Sequence, residues 1–205
     1  MMKMQRRRFL QGLSAATGML LLPLHGSWAQ GARRFRVGDR YRYRRLDPYS
    51  EAEHSTYTIE VTQVSDSEAT FSDGRVLDMR GFPRRLPDGR RITFLRAPSD
   101  DVAPGGRWRA EFLVTTANGD EIRAEMDGSV LGRERITVPA GTFDALRIEG
   151  SGIAHPPLGV VRTRLLVYRA PELVRMPLLR EEVRRNARGQ VFFAERDVLV
   201  DFRQS

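Results

Sequence analysis

Polar and apolar residues alternate with a period of two in segment after segment of this chain beyond its N-terminal stretch. The alternation is regular in TYTIEVTQV (56–64), EIRAEMD (121–127), RLLVYR (164–169) and QVFFAERDVLVDF (190–202). Successive side chains of a β-strand point to opposite faces, so this period indicates strands. The period of 3.6 that marks an amphipathic helix is hard to find, and the sequence therefore predicts a mainly β domain.

Turn-forming residues separate the alternating segments. The combinations are Ser72-Asp73-Gly74, Pro87-Asp88-Gly89, Asn118-Gly119 and Arg188-Gly189. Hairpins in sequence predict an antiparallel sheet, and in residues 121–127 all the charged side chains fall on one face. Because such a sheet must bury its apolar face, we expect a single curved antiparallel sheet, either a half-barrel or sandwich-like.

Two short segments repeat one another in form, VGDRYR at 37–42 and PGGRWR at 104–109. In each, a glycine precedes an arginine-aromatic pair, which would turn the chain into a strand whose aromatic ring packs inward. The repetition is weak, and two related halves are one interpretation of it. The alternative is a common device for starting a strand, without duplication.

The chain begins with an export signal. Residues 1–29 combine a basic head, an apolar stretch and small residues up to Ala29, where signal peptidase would cleave. The run Arg6-Arg7-Arg8-Phe9-Leu10 resembles the twin-arginine pattern, and an arginine-rich general secretory signal is the alternative. The apolar stretch is too short to span a bilayer, so we expect residues 31–205 to form a single soluble periplasmic domain without a transmembrane anchor.

Composition limits the chemistry further. Cysteine is absent, which excludes disulfides, thiolate catalysis, thiolate metal sites and a lipobox anchor. Removal of residues 1–29 lowers the formal charge from +8 to about +4, with 30 basic against 26 acidic residues. Arg40, Arg42 and Arg44 alternate with apolar residues as a solvated sheet face does. The alternative is a patch for anionic lipid or cell-wall polymer, and export disfavours nucleic acid.

Residues 133–150, RERITVPAGTFDALRIEG, contain two alternating runs around a break. Pro139 has no N–H to donate to a strand ladder, and Gly141 can adopt the positive φ that reverses the chain. Thr142 has no local base that would activate it as a nucleophile. The stretch therefore predicts a hairpin corner with a structural role.

The same stretch resembles the pattern E-x-V-x-V-P-A-G-x-F-x-A-x-x-I of a broad group of exported β-sheet proteins whose function is unknown. The matching residues are Glu134, Ile136, Val138, Pro139, Ala140, Gly141, Phe143, Ala145 and Ile148. GRW at 106–108, VYRAPEL at 167–173 and RDVLVDF at 196–202 extend the likeness, although Val167-Tyr168 replaces the usual aromatic pair. The group is distantly similar to the half-barrels of lipoprotein-localisation factors, which implies the sheet and no particular reaction.

No residue pattern points to catalysis, a metal or a cofactor. Once the signal is removed, the histidines are His54, in SEAEHST, and His155, in a bend rich in Gly and Pro, and neither lies in a spaced ligand motif. We interpret His54 as a loop residue and His155 as structural. Ser151 lacks the G-x-S-x-G turn of a hydrolase nucleophile.

Three pairs of carboxylates could suggest glycoside chemistry: Asp100 with Asp101, Glu181 with Glu182, and Glu121 with Glu125. Neighbours on a strand point to opposite faces, so the first two are poor acid-base pairs. Glu121, Arg123 and Glu125 form a charge-balanced wet face. We therefore expect no catalytic, cofactor-binding or metal site and no enzymatic activity.

The sequence favours a periplasmic protein that binds or carries an apolar or amphiphilic envelope molecule such as a lipid. Residues 165–168 (LLVY) and 191–193 (VFF) could line a concavity or belong to an ordinary core. The alternative is a structural or interaction protein that meets an envelope partner through its sheet edge or arginine face. Residues 79–91, which break the alternation, would form a lid or the crossover between halves.

Overall fold

Twelve β-strands account for most of the chain that the computed structural model describes, which is residues 34–98, 103–157 and 159–205. They are β1 (Arg40–Leu46), β2 (Glu53–Val64), β3 (Glu68–Phe71), β4 (Val76–Asp78), β5 (Pro83–Arg85), β6 (Arg91–Arg96), β7 (Arg107–Thr115), β8 (Glu121–Val138), β9 (Gly141–Ala154), β10 (Val161–Arg169), β11 (Leu179–Arg185) and β12 (Val191–Arg203). The four alternating segments lie in β2, β8, β10 and β12, which confirms them as strands. The export signal expected at residues 1–29 falls outside the described residues. Within the described residues, no helix has the length and apolar character needed to span a bilayer.

The strands form a closed antiparallel barrel, and the prediction of an open curved sheet, half-barrel or sandwich-like, is wrong. Each strand pairs with its neighbours in sequence, and β12 returns to pair with β1. This closing pair runs the length of β1, from Arg40 opposite Arg203 to Leu46 opposite Arg196. Closure satisfies the backbone groups that the first and last strands of an open sheet would expose.

The predicted turns are confirmed. Gly74, Gly89, Gly119 and Gly189 lie between successive strands with φ between 79° and 89°, a region that side chains with a Cβ avoid. Pro139 and Ala140 form the corner between β8 and β9, and Gly141 has the expected positive φ, 137°. The Ala140 amide donates to the Leu199 carbonyl at 3.2 Å, so this corner is tied to β12.

The two segments that repeat in form both start strands, β1 and β7. Gly38 and Gly105 have φ of 88° and 86°, and each donates its amide to a carbonyl of the next long strand, at Val61 and Val130. Later strands differ between the two parts of the chain, since β4 has 3 residues and β8 has 18. The repeated segments therefore share a way of starting a strand, and the strands form one barrel instead of two half-sheets.

Cross-strand register identifies the side chains that share the inner face, because residues directly opposite in a ladder point to the same side. Three rows run across the long strands from β7 or β8 towards β12 and β1. They are Val130-Ile148-Val167-Arg180-Asp197-Arg45, Trp108-Gly128-Gly150-Leu165-Glu182-Glu195 and Ala110-Met126-Gly152-Thr163-Arg184-Phe193. On β1, Arg45 shares this face with the core residues Tyr41 and Tyr43. The inner face is therefore apolar in places and charged in others.

The end of the barrel where β1 begins and β12 ends is filled with apolar side chains. Tyr41, Val61 and Leu199 are fully buried, and Ile59 is 1% exposed. The segment from Ala170 to Leu178 and the β8–β9 corner supply further members of this core. We call this region the filled end.

A buried ion pair ties the filled end together. Arg175 donates to the carboxylate of Asp39, and both side chains are almost completely buried. Asp39 also accepts hydrogen bonds from the amides of Arg36, at 2.9 Å, and Ser205, at 3.1 Å. The pair thus joins the residue before β1, the β10–β11 segment and the C-terminus.

At the other end, where β1 ends and β12 begins, inward-facing side chains remain partly exposed. Phe94, Phe112, Val114 and Ile122 share the inner face and are only half-buried. We call this region the open end. Solvent therefore reaches an inner surface that a filled barrel would exclude from it.

The wall of the open end is incomplete on one side. Residues 53–59 of β2 pair with β1 and with no other strand in the described ranges. The β3–β4 turn ends at the level of Glu60, whose carbonyl accepts the Ser72 amide at 2.8 Å. Because β3 and β4 are short, the barrel wall has a gap beside residues 53–59 of β2.

Residues 79–91 belong to the barrel wall and form neither a lid nor a crossover. They contain β5 and the turn that leads into β6. The Arg169 guanidinium of β10 donates to the carbonyl of Arg80 at 3.3 Å, and a Cβ on Gly81 would lie 3.0 Å from that guanidinium. The glycine at position 81 permits this close approach across the barrel.

Candidate functional site in the open end

Six charged side chains from β1, β11 and β12 meet on the inner face of the open end. Arg45 lies 2.9 Å from Asp197 and 3.2 Å from Glu195. Arg184 donates to Glu182 at 2.5 Å, and Arg180 pairs with the same carboxylate. We call these residues the ionic cluster: Arg45, Arg180, Glu182, Arg184, Glu195 and Asp197.

The ionic cluster is solvated unevenly. Glu182 and Asp197 are 5% and 7% exposed, whereas the side chains of Arg180 and Arg184 are 41% and 27% exposed. The carboxylates of Glu182 and Asp197 therefore lie deep, and the guanidinium groups of Arg180 and Arg184 are nearer to solvent. With three cations and three anions, the cluster offers donors and acceptors without an excess of charge.

The surroundings shift the pKa values of Glu182 and Tyr57. Burial alone would raise the pKa of Glu182, but the flanking charges of Arg180 and Arg184 outweigh it and lower that pKa. Burial, and then the charge of Asp197, raises the pKa of Tyr57 to about 12. Glu182 is therefore an anion and Tyr57 a neutral phenol at neutral pH.

Guanidinium groups stack on aromatic rings around the same space. Arg184 lies 4.7 Å from the ring centre of Phe193, Arg45 lies 5.0 Å from that of Tyr57, and Arg84 lies 5.3 Å from that of Phe94. Stacking restricts the planar groups while leaving their N–H edges free to donate. The arginines are therefore partly preorganised.

An aromatic wall faces the ionic cluster. Phe94 lies 6.0 Å from Phe82 and 5.7 Å from Phe112, measured between ring centres. The register adds Val114 and Ile122 to the same face. In the strand order, β5, β6 and β7 are diametrically opposite β11, β12 and β1. One side of the open end thus carries mainly aromatic and aliphatic side chains, with Arg84 stacked on Phe94, and the other carries the ionic cluster.

Trp108 lies over glycines of the neighbouring strands β8 and β9. A Cβ on Gly128 would overlap the Trp108 indole and lie 2.8 Å from the Glu149 carbonyl, whereas one on Gly150 would make ordinary contacts at 3.5 Å. Only glycine at 128 leaves room for this ring. In the cross-strand register, Trp108 belongs to the same inner row as Leu165, Glu182 and Glu195.

The residues considered for catalysis do not come together. His54 is an exposed strand residue of β2, which corrects its interpretation as a loop residue, and His155 is exposed just after β9. Ser151 is exposed on β9, and the hydroxyl of Thr142 lies 3.0 Å from that of Thr137. Across residues 34–98, 103–157 and 159–205, no group of three or more His, Asp or Glu side chains is arranged to hold a metal.

The carboxylate pairs behave as ion-pair partners. Glu182 faces the ionic cluster while Glu181 pairs with Arg196 at 2.9 Å, so the predicted opposite orientation is confirmed. Glu125 pairs with Arg109 at 2.7 Å, and Arg123 pairs with Glu111 at 3.1 Å, as a charge-balanced outer face requires. Asp100 and Asp101 lie outside the described residues.

The apolar segments proposed to line a concavity divide between two faces. Leu165 and Val167 point inward, and Phe193 lies under Arg184. Phe192 is 57% exposed. Sequence reasoning missed the ionic cluster, although the charges at positions 180, 182 and 184 of LREEVRR share one strand face and could have indicated it.

Two further concavities lie elsewhere. One of about 690 Å³ is at the filled end, lined by Arg34, Phe35, Arg36, Arg175 and Ser205. One of about 280 Å³ lies beside β1 and β12, lined by Arg40, Arg42, Asp201, Phe202 and Arg203. Both are bordered by arginines and are separate from the ionic cluster.

Three solved structures are similar to this chain. A candidate lipoprotein of Parabacteroides distasonis aligns over 83% of this chain and 97% of its own, with 13% identity and a TM-score of 0.51. A candidate exported protein with a YmcC-like fold from Bacteroides fragilis aligns over 84% and 100%, with 13% identity and a TM-score of 0.47. The hypothetical lipoprotein YmcC of Escherichia coli aligns over 80% and 84%, with 9% identity and a TM-score of 0.46. The first of these likenesses shows a common fold.

No protein-family model matches the chain, and no curated protein matches it. The resemblance of residues 133–150 to a group of exported proteins therefore stays a prediction, and so does the distant similarity to lipoprotein-localisation factors. Fold alone does not determine function, so a functional conclusion must rest on the open end itself.

Proposed function

We propose that this chain is a non-enzymatic protein of the bacterial envelope that binds an amphiphilic molecule in the open end of its barrel. The observation that carries the proposal is the division of one inner surface into an ionic cluster and an aromatic wall. The cluster offers charged hydrogen-bonding groups to a polar head, and the aromatic wall offers contact to an apolar chain. A guest with both characters complements such a surface.

The partial exposure of the aromatic wall and of the ionic cluster supports the same proposal. Phe94 and Phe112 are half-buried although they point into a closed barrel. A guest that covered them would remove apolar surface from water, which is worth about 25 cal/mol per Å². The exposed edges of Arg180 and Arg184 would exchange water for a head group.

The proposed location rests on the N-terminal pattern and on the fold. Residues 1–29 have the basic, apolar and small-residue order of an export signal. The Parabacteroides distasonis and Bacteroides fragilis proteins with related architecture carry the names candidate lipoprotein and candidate exported protein. Those names belong to the neighbours and support an envelope location for this chain.

The test is native mass spectrometry of the protein purified from the periplasm, followed by solvent extraction. We expect one amphiphile per chain. Val114→Arg should abolish the bound mass, because Val114 faces the open end, whereas Leu113→Arg should retain it, because Leu113 pairs with Arg123 on the outer face. An unliganded mass for the unmodified protein, with no thermal shift on addition of envelope lipids, would refute the proposal.

A second candidate is binding of an envelope partner through the arginine face. It is favoured by the concavity of about 280 Å³ that Arg40, Arg42 and Arg203 border. Closure through β1 and β12 removes one sheet edge, and among the described residues the unpaired edge of β2 at 53–59 remains for such a partner. A one-to-one complex with a protein in the same mass spectra, lost in Arg42→Gln and kept in Val114→Arg, would favour it.

A further inference from the structure

The turn between β11 and β12 projects beyond the rim of the open end. Residues 187–192 are all exposed, including the strand neighbours Val191, at 44%, and Phe192, at 57%. Neighbouring side chains point to opposite faces, so a strand covered on one side would bury one of them. Exposure of both indicates that neither face of the hairpin tip is covered.

A β-bulge directs Phe192 outward. Arg184 pairs with Phe193 and Arg185 pairs with Val191, which leaves Phe192 as the extra residue. Bulges re-aim side chains in this way. Phe193 consequently stays on the inner face beneath Arg184, while Phe192 lies on the protruding tip.

Tyr49 extends the apolar surface of this tip. It is 63% exposed, and its hydroxyl accepts a hydrogen bond from Arg185 at 3.5 Å. Arg162 is opposite Arg185 in the ladder between β10 and β11. We call this set the rim patch: Tyr49, Arg162, Arg185, Arg188, Val191 and Phe192.

The rim patch carries uncompensated positive charge. Arg162, Arg185 and Arg188 have no carboxylate partner among the residues that the structure describes, and residues 183–194 contain no acid. Nearby carboxylates are engaged, since Glu51 pairs with Arg196 at 3.3 Å and Glu53 pairs with Arg44 at 3.3 Å. The patch is therefore complementary to an anionic surface.

We infer that the rim patch docks this protein on an anionic lipid surface. Phe192 and Tyr49 would enter the head-group region, where aromatic rings are favoured, and the three arginines would contact lipid phosphates. A protein partner fits less well, because a stable interface buries about 800 Å² per partner and three protruding apolar side chains offer too small a core. Since the patch borders the open end, docking would bring that end to the membrane.

Docking does not require that the barrel hold a guest. The test is sedimentation of the purified protein with vesicles of phosphatidylethanolamine and phosphatidylglycerol, compared with vesicles of phosphatidylcholine alone. We expect binding to the anionic vesicles that weakens as salt is raised. Arg185→Gln and Arg188→Gln should each lower the partition coefficient about fivefold, and Phe192→Ser should lower it by a similar factor.

Matched controls lie on the far side of the barrel. Arg107→Gln removes an exposed arginine of β7, and Leu131→Ser removes an apolar side chain that is 54% exposed on β8. Neither should change vesicle binding. Val114→Arg should also bind vesicles normally, which separates docking from the proposed guest binding.

Three results would overturn the inference. The first is an absence of binding to anionic vesicles by the folded protein, checked by circular dichroism. The second is an equal loss in the control variants, which would indicate nonspecific attraction. The third is a concentration-dependent dimer in ultracentrifugation that Phe192→Ser abolishes while vesicles bind none of the proteins, which would assign the patch to a second copy.

Discussion

The two ends of this barrel are built from the same strands and have opposite interiors. At the filled end, Tyr41, Val61 and Leu199 are fully buried. At the open end, Phe112, Val114 and Ile122 point to the same inner face and stay half-buried on the wall opposite the ionic cluster. Alternation therefore determines which side chains face inward, and it leaves open whether the space they face is filled.

Chain segments outside the regular strands account for the difference. The filled end receives Val174, Met176 and Leu178 from the β10–β11 segment, and it receives the β8–β9 corner, whose Ala140 bonds to Leu199. Beside the open end, the short β3 and β4 stop below the level of β2 residues 53–59. A barrel of unequal strands can thus have a packed core at one end and partly exposed inner side chains at the other.

The largest effect on stability is expected from disrupting the buried Asp39–Arg175 ion pair of the filled end. Asp39→Ala should lower the free energy of unfolding by about 3–5 kcal/mol, because it leaves the Arg175 charge buried without its carboxylate. Urea denaturation measures the change. Glu53→Gln removes one partner of the exposed Arg44–Glu53 pair and should cost less than about 1 kcal/mol. Equal losses of unfolding free energy in the two variants would contradict the predicted difference between the buried and the exposed ion pair.

The next prediction compares one substitution at both ends. Val61→Ala should destabilise the protein by about 2–3 kcal/mol, since it opens a cavity in a packed core. Val114→Ala should cost less than about 1 kcal/mol, because Val114 is already partly exposed. Thermal and urea unfolding of both variants would test this. A larger loss for Val114→Ala would mean that the open end is packed in solution.

Gly128 and Gly150 provide a second comparison, between two positions of the inner face. Gly128→Ala should destabilise by about 1–3 kcal/mol and alter the near-ultraviolet signal of Trp108, because a methyl group there overlaps the indole. Gly150→Ala, where the nearest atoms would be 3.5 Å away, should leave that signal unchanged. The same spectrum for Gly128→Ala and the unmodified protein would show that the ring is not seated over Gly128.

The smallest expected effect is a pH dependence at the open end. The pKa of Glu182 is lowered in the folded chain, so its stabilising contribution is present above the ordinary carboxyl value of 4.5 and is lost as pH falls through the lowered value. The difference in unfolding free energy between the unmodified protein and Glu182→Gln should therefore shrink on acidification. A constant difference from neutral to acidic pH would contradict the ion-pair role. The effect should be smaller than at Asp39, because Arg180 and Arg184 keep contact with water.

Several parts of this molecule could be predicted from short stretches of sequence. Residues 121–127 predicted a strand with one wet face, and Glu125 and Arg123 form its outer ion pairs. Gly141 predicted the positive φ at the β8–β9 corner. These features depend on neighbours in sequence, so propensity and side-chain spacing suffice to predict them.

The candidate site could not be found in the same way. The sequence relates Glu182 only to its neighbour Glu181, whereas the barrel places it opposite Glu195 of β12, which pairs with Arg45 of β1. His54 was expected in a loop because its neighbours are polar, yet pairing with β1 holds it in β2. The ionic cluster depends on Arg45, which is distant in sequence, whereas His54 is held by the adjacent strand of its own hairpin.

The amino-acid sequence by itself determined the strands, their turns and the side chains that share a face, because these follow from local geometry. Only the tertiary structure decided that the sheet closes, through the pairing of β1 with β12. It also decided that charged rows meet inside the open end while apolar rows fill the other. The physical reason is register: pairing between distant strands selects which inward rows face each other, and no local pattern records that choice.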